Sequence, residues 1–204
     1  MISGPSRRRQ LVAAGCALAA IAFGCGALRA QTPASVWGLS ELMQSMREVK
    51  TARAKFVERK YLRIVSNPLE SSGTLRYKAP DELEKRTLTP ISESLVLGGD
   101  ELTITNEAKQ RRTLALHDYP IVWAFVESIR STLAGDLPTL SRFYSISLEG
   151  DAAEWRLILT PRMPEMRAAV SQIRIAGSQN RISTIEMIEP EGDRSVMNIA
   201  QEGR

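Results

Sequence analysis

The sequence predicts a mainly β fold: a large antiparallel sheet curled into an unclosed half-barrel, with lid helices over its concave face. Three observations carry this expectation. From Lys50 onward, apolar and polar residues alternate with a period of two through roughly ten short segments, the pattern of strands with one buried face. The segments are separated by turns such as Gly98-Gly99-Asp100, Gly150-Asp151 and Glu191-Gly192-Asp193, and connections that short join antiparallel neighbours. Only two stretches of helical spacing interrupt or precede the strands, so a sheet of this size has to curl to bury its apolar face, and the helices are its natural cover.

Residues 1–30 stand apart as a secretory signal peptide. Arg7, Arg8 and Arg9 form a basic start, Leu11 to Leu28 is apolar and rich in Ala and Gly, and Ala30 precedes Gln31-Thr32-Pro33, the layout of a cleavable signal. The apolar run is nearly long enough to span a bilayer, but its Ala and Gly make it a weak anchor. Cys16 and Cys25 fit a lipoprotein signal poorly. The arginines resemble a twin-arginine signal except that Gln10 stands where an apolar residue is favoured, so the export route stays open.

Removing this segment takes four Arg and no acid, so Lys+Arg falls from 27 to 23 while Asp+Glu stays at 23. The remaining chain is formally neutral, and the basic excess that nucleic-acid binding requires does not survive. Both cysteines leave as well, so residues 31–204, expected to form one domain, stand without thiol or disulfide.

The elements follow in order. Val36, Leu39, Leu42, Met43 and Met46 recur at helical spacing, with Ser35 as a candidate N-cap. Lys50 to Val65 is a long charged strand, with Ala52, Ala54 and Phe56 on one face and Arg53, Lys55 and Val57 on the other. Gly73–Lys78 and Leu83–Thr89 are hinged at Lys78-Ala79-Pro80. Glu93–Leu97, a strand through Leu102 and Ile104, and Thr113–Leu116 complete the first half. Pro120 then opens a helix over Ile121–Ala134, where Val122, Phe125, Val126, Ile129 and Leu133 share a face and Gly135 is placed as a stop. Pro138–Phe143 adds a turn of helix. Strands resume at Tyr144–Leu148, Trp155–Thr160, Ala169–Ile175, Ile182–Glu189 and Ser195–Ala200.

Catalytic equipment is sparse. The single histidine, His117 beside Asp118, has no nucleophile elbow or oxyanion-type glycine loop to accompany it, so no catalytic residue is assigned; a hydrolase using His117 is the weakest of three readings. One His and no Cys after residue 30 leave no metal site, and Gly98-Gly99-Asp100 lacks the Lys and following helix of a phosphate loop. No cofactor is expected. The helix IVWAFVESIRSTLAG is different, because Trp123, Phe125 and Val126 cover more than one narrow stripe. Such a helix can pack on the sheet and still offer apolar surface to a ligand.

The order of these motifs resembles the LolA-type outer-membrane lipoprotein carrier family over about Leu39 to Ile199. KTARAKFVERKY is similar to the family's strand with a central aromatic, GTLRYKAPDELE to its Gly-x-Leu-x-aromatic-Lys-x-Pro strand pair, and ESLVLGGDELTI to its strand, turn and strand. EWRLILTPR and RISTIEMIEPEGDRSVMNI resemble a Leu-Thr-Pro-basic motif and the closing hairpins. The segment from Asp118 to Tyr144 looks more like a divergent branch of the family, associated with lipid or polyene biosynthesis and export.

The resemblance implies a monomeric periplasmic carrier, not an enzyme, that shields acyl chains of a lipoprotein or other lipid client between an inner-membrane donor complex and an outer-membrane acceptor. An envelope sensor or adaptor with the same fold is the alternative. The cavity and lid are expected from Phe56, Leu75, Tyr77, Leu95, Leu97, Trp123, Phe125, Val126, Ile129, Trp155 and Leu157. In the carriers an Arg before the Pro of the hinge holds the lid helices. Ala79 stands there in this chain, with Arg86 on the outgoing strand as the candidate stand-in.

Overall fold

The computed structural model describes residues 37–202, so the signal segment and the proposed cap Ser35 lie outside the described residues. The first helix, α1, spans Leu39–Arg47. It begins later than the apolar spacing predicted because extended Gly38 is its N-cap, and the Gly38 N–H donates to Glu41 Oε2 at 3.0 Å. Such a bond satisfies a donor that the first turn cannot use. Its buried residues are Leu42, Met43 and Met46.

Eleven strands form one antiparallel sheet: β1 Thr51–Tyr61, β2 Leu69–Lys78, β3 Glu82–Thr89, β4 Glu93–Gly98, β5 Glu101–Thr105, β6 Arg111–Ala115, β7 Tyr144–Gly150, β8 Trp155–Pro161, β9 Gln172–Ser178, β10 Arg181–Ile188 and β11 Arg194–Gln201. Three strands differ clearly from expectation. β1, expected to run to Val65, ends at Tyr61. β2 starts at Leu69, where Leu69-Glu70-Ser71-Ser72 carries too little apolar contrast for a period of two to show. The start assigned to β9 at Ala169 is instead the exit of a four-residue helix, α4, Pro164–Arg167, begun by the proline that helices accept in their first turn.

The strand order is β6-β5-β4-β3-β2-β1-β11-β10-β9-β8-β7. β1 therefore lies at the join of two meanders, paired with β2 on one side and β11 on the other, and the sheet is not closed into a barrel. The two edges are β6 and β7, which are consecutive in the chain. Whatever links them has to cross from one edge of the sheet to the other. That link is a 3-10 turn at Leu116–Asp118, helix α2 Pro120–Ala134 and helix α3 Leu137–Phe143.

The lengths agree with a bent sheet. Eleven strands laid flat put the edges about 48 Å apart at strand spacing, whereas α2 and α3 laid end to end reach only about 33 Å. Curling shortens the span between the edges to what the helices can bridge.

Register assigns the faces, because directly opposed residues share one. Ala54, Phe56 and Glu58 of β1 face the same way as Gly73, Leu75 and Tyr77 of β2, and as Met197 and Ile199 of β11. Leu157 and Leu159 of β8 and Ile173 and Ile175 of β9 lie on that same concave face. The main core sits on the β7–β11 wing, where these residues and Trp155 join Leu42, Met43 and Met46 of α1 and Leu140 of α3. Phe56, Tyr77 and Leu97, on the β1–β6 wing, are buried but stand outside that cluster.

Gly135 ends α2 with a φ of +66°, and a Cβ built there would lie 2.1 Å from the Met43 carbonyl oxygen of α1. Backbone conformation and close approach both demand glycine. Gly135→Ala is expected to cost about 2 kcal/mol or more, read as a lowered urea midpoint with unchanged slope.

Candidate ligand-binding groove

Helix α2 buries an unexpected side. Glu127, Ser128, Ser131 and Thr132 are all buried, Ser128 and Thr132 completely, whereas Trp123, Phe125, Val126, Ile129 and Leu133 are half-buried and Val122 is exposed. Helical spacing puts Val122, Phe125, Val126, Ile129 and Leu133 on one side and the four buried polar residues on the other.

The polar side is buried without orphaned hydroxyls. Ser128 Oγ donates to the Phe125 carbonyl at 2.7 Å, Thr132 Oγ1 to the Ser128 carbonyl at 2.7 Å, and Ser131 Oγ to Glu127 Oε1 at 2.7 Å. Glu127 also pairs with Arg130. Tyr144 of β7 hydrogen-bonds Ser128, and burial, only partly offset by that bond, pushes the phenol up to about 12. Small and hydroxylated residues let α2 approach α1 and β7 closely, and the close contact at Gly135 lies on the same side.

A groove of about 930 Å³ runs along the hinge end of the sheet beside the C-terminal turn of α2; Ala52, Tyr77, Leu83, Leu97, Ile182 and Leu133 of the helix form its apolar part, and charged residues such as Arg53, Arg76, Lys78, Glu82, Glu84 and Arg181 form the rest. The volume is in the range of small-molecule sites. Two arginines hold the helix in place beside it. Arg47 Nε of α1 donates to the Gly135 carbonyl at 3.0 Å, and Arg130 Nη1 donates to the Gly99 carbonyl, in the β4–β5 turn, at 2.8 Å.

The candidate site residues fall into separate groups. Tyr77 and Leu97 line the groove. Phe56 is buried on β1 and lines a smaller pocket with Ile199, while Leu75 and Leu95 lie half-buried on the concave face, each opposite Lys85. Trp155 and Leu157 are fully buried core under the helices, with Trp155 Nε1 donating to the Gln179 carbonyl at 2.8 Å. Trp123 packs edge-on against Phe143 with ring centroids 4.7 Å apart, and it packs against the core together with Phe125, Ile129 and Leu133. Val126 is not in that set.

At the hinge, the Ala79 N–H donates to the Lys50 carbonyl at 2.9 Å, extending the β1–β2 ladder. Arg86 is exposed and stands opposite Thr74 and Ser94 on the convex face, so it does not face the lid. The concave-facing cation of β3 is its neighbour Lys85. Leu83 and Leu133 were outside the expected set, although cross-strand pairing of Leu83 with Tyr77 and Leu97 joins it to the groove.

Lys85 makes the wing's one internal ion pair recorded among the described residues. Its Nζ lies 2.5 Å from Glu58 Oε2 and 5.1 Å from the centre of the Phe56 ring, and Ser195 Oγ donates to Glu58 Oε1 at 2.6 Å. Lys85 and Glu58 belong to β3 and β1, so the pair reaches across β2. Burial alone would raise the Glu58 carboxyl. The hydrogen bonds from Lys85 and Ser195 and the charges of Lys85 and Lys60 outweigh it and hold the carboxyl below its ordinary value.

Elsewhere the site holds no reactive constellation. His117 is exposed, with Nδ1 3.0 Å from Asp100 Oδ2 and Nε2 3.3 Å from Asp118 Oδ1. Among the described residues no His, Cys, Asp and Glu cluster could hold a metal, and no helix is long and apolar enough to cross a membrane.

The fold is thus an unclosed half-barrel, its edges bridged by helices, with a groove of mixed polarity at the hinge end of the sheet. Residues 30–201 match the family model of outer membrane lipoprotein carrier protein LolA-like proteins, and the chain belongs to that family of carriers. No curated protein matches the sequence. Among solved structures, the chain is similar to a LolA superfamily protein from Nitrosomonas europaea (11% identity, TM-score 0.46, covering 83% of this chain and 94% of that one). It is also similar to MucB in its complex with MucA from Pseudomonas aeruginosa (12% identity, TM-score 0.45, covering 80% and 56%). A third similar structure is a putative outer membrane lipoprotein-sorting protein domain from Vibrio parahaemolyticus (10% identity, TM-score 0.42, covering 79% and 88%).

Removing Lys85 strands a buried carboxylate. Lys85→Met is expected to cost on the order of 3 kcal/mol, with Glu58→Leu in the same chain restoring much of the loss, as read by urea unfolding. Because the folded carboxyl titrates below the unfolded one, its contribution is complete above the ordinary carboxylate range and is lost as pH falls through the folded value. Glu58→Gln should accordingly flatten the acid limb of the stability profile.

Proposed function

We propose that the protein is a periplasmic carrier that holds the acyl chains of a lipoprotein or other lipid client between α2 and the β1–β6 wing and moves it toward the outer membrane. The observation that carries this reading is the groove at the hinge end, where Ala52, Tyr77, Leu83, Leu97 and Ile182 of the sheet meet Leu133 of α2. Membership of a lipoprotein-carrier family and the signal-like residues 1–30 support the same reading.

Chemistry is not required for such a task. Each buried CH₂ contributes about 0.8 kcal/mol, so a groove lined by Leu83, Leu97, Ile182 and Leu133 retains a chain without a covalent bond. Release requires the lid to exchange between arrangements differing by a few kcal/mol. An inner-membrane donor and an outer-membrane acceptor complete the route, and a monomer suffices to carry the client.

Val126 is the informative position, since it lies two turns before the groove residue Leu133 on the apolar side of α2 and is not among the residues packed on the core cluster. Val126→Asp is expected to weaken a fluorescent acyl probe roughly tenfold or more and to leave the unfolding midpoint nearly unchanged. Native mass spectrometry of the protein taken from its own periplasm should show bound lipid. Ligand-free protein with no affinity for acyl probes would exclude the carrier, and client placed normally in a depletion strain with altered envelope signalling would favour a sensor.

A further inference from the structure

Charge is unevenly spread over a chain whose residues 31–204 are formally neutral. Helix α3, the turn after β8 and helix α4 carry three arginines, Arg142, Arg162 and Arg167, against one acid, Glu165. All three arginines are exposed, and no ion pair is recorded for any of them among the described residues.

The fold gathers them at one end of the β7–β8 pair. The Arg162 N–H donates to the Phe143 carbonyl at 2.8 Å, and its Nε donates to the Tyr144 carbonyl at 2.9 Å. Arg162 is thereby set beside the end of α3, where the Arg142 guanidinium lies 5.5 Å from the centre of the Phe143 ring. The Arg167 N–H donates to the Met163 carbonyl at 3.0 Å, so Met163 and Arg167 share one side of α4, whereas Glu165, two residues from each, does not. This end of β8 adjoins the start of β9, and the groove is lined by the turn at the other end of β9.

Met163 is 42% exposed, although Met166 and Val170 of the same segment are buried in the core. Those two fix α4 to the sheet and leave a thioether outside, between Arg162 and Arg167. Like charges gathered without counter-ions repel one another, and an apolar side chain gains nothing from water. An anionic lipid surface answers both. Its phosphates pair with the guanidinium groups, the arginine stems lie along its apolar boundary, and the methionine enters between them. The charge alone would suit an acidic protein as well; the exposed methionine among the arginines favours lipid.

We propose that Arg142, Arg162, Met163 and Arg167 form a docking surface for an anionic membrane. The surface is separate from the groove and does not depend on what the groove holds. Each arginine strengthens such attachment about fivefold, so it is reversible and weakens as salt screens the charges.

Cosedimentation of the exported protein with vesicles of phosphatidylcholine alone, and of phosphatidylcholine mixed equally with phosphatidylglycerol, reads the attachment. Wild type should bind the mixed vesicles, release them at high salt and ignore the neutral ones. The double variant Arg142→Gln, Arg167→Gln should bind roughly twentyfold more weakly, with Arg162 kept because its Nε holds the β7 backbone. Met163→Asp should weaken binding severalfold, and both variants should unfold at the wild-type midpoint. Arg86→Gln with Arg111→Gln, the same loss of charge at two other exposed sites, should bind as wild type does. No affinity for the mixed vesicles, equal affinity for both kinds, or an equal loss in the Arg86 and Arg111 variant would overturn the proposal and leave the reading of the groove untouched. Binding that polyglutamate displaces and Met163→Asp leaves intact would assign the patch to an acidic protein and overturn it as well.

Discussion

The crossing from β6 to β7 governs this molecule. Because these consecutive strands occupy opposite edges of one sheet, the segment between them has to run over a face, and only the apolar face gains from being covered. The lid is thus a consequence of strand order. It also sets the curvature, since a helix pair acts as a chord and the sheet as the arc it subtends. A chord fixed covalently at both ends cannot leave. The contacts that resist tilting or sliding are the Tyr144–Ser128 hydrogen bond, the Arg47 and Arg130 bonds to backbone carbonyls, the packing at Gly135, and the packing of Trp123, Phe125, Ile129 and Leu133 on the core.

Those contacts are placed unevenly. The side of α2 toward α1 and β7 is rich in hydroxyls and close approaches, whereas its apolar residues Trp123, Phe125, Ile129 and Leu133 are half-buried against the core. The β1–β6 wing is mixed, with the Glu58–Lys85–Ser195 network set among Phe56, Leu75 and Leu95. Burying such a pair is seldom favourable against well-packed hydrophobic residues. Its evident structural effect is to tie β1 to β3 across Gly73, where a Cβ would lie 1.9 Å from the Arg86 carbonyl oxygen and the sheet has a register shift.

Much of this was legible in the sequence, and what was not has identifiable causes. Alternation and turn glycines placed most strands, as at Gly99, whose φ of +59° matches its position in the β4–β5 turn. The chain broke the pattern only where contrast failed, at Leu69–Ser72, or where a proline began a single turn, at Pro164. The apolar spacing of α2 was visible, but not which side would be buried, because that depends on α1 and β7 arriving from distant parts of the chain. The small residues Ser128, Ser131, Thr132 and Gly135, spaced three and four apart, are the signal that the apolar spacing overshadowed. Register decided the rest: a shift of one residue separates Lys85, which faces the groove side, from Arg86, which does not.

An unclosed sheet also keeps two unpaired margins. Among the described residues β6 and β7 each present backbone donors and acceptors with no neighbouring strand, and in most proteins such margins invite pairing with a second chain. β6 is only five residues long and begins with Arg111-Arg112, both exposed, while β7 turns Ser145, Ser147 and Glu149 toward the convex side. Short length and charge discourage a docking strand. Joining the two margins would close the barrel and remove the liability. The open seam is thus a tolerated risk of self-association, held in check by arginine and brevity.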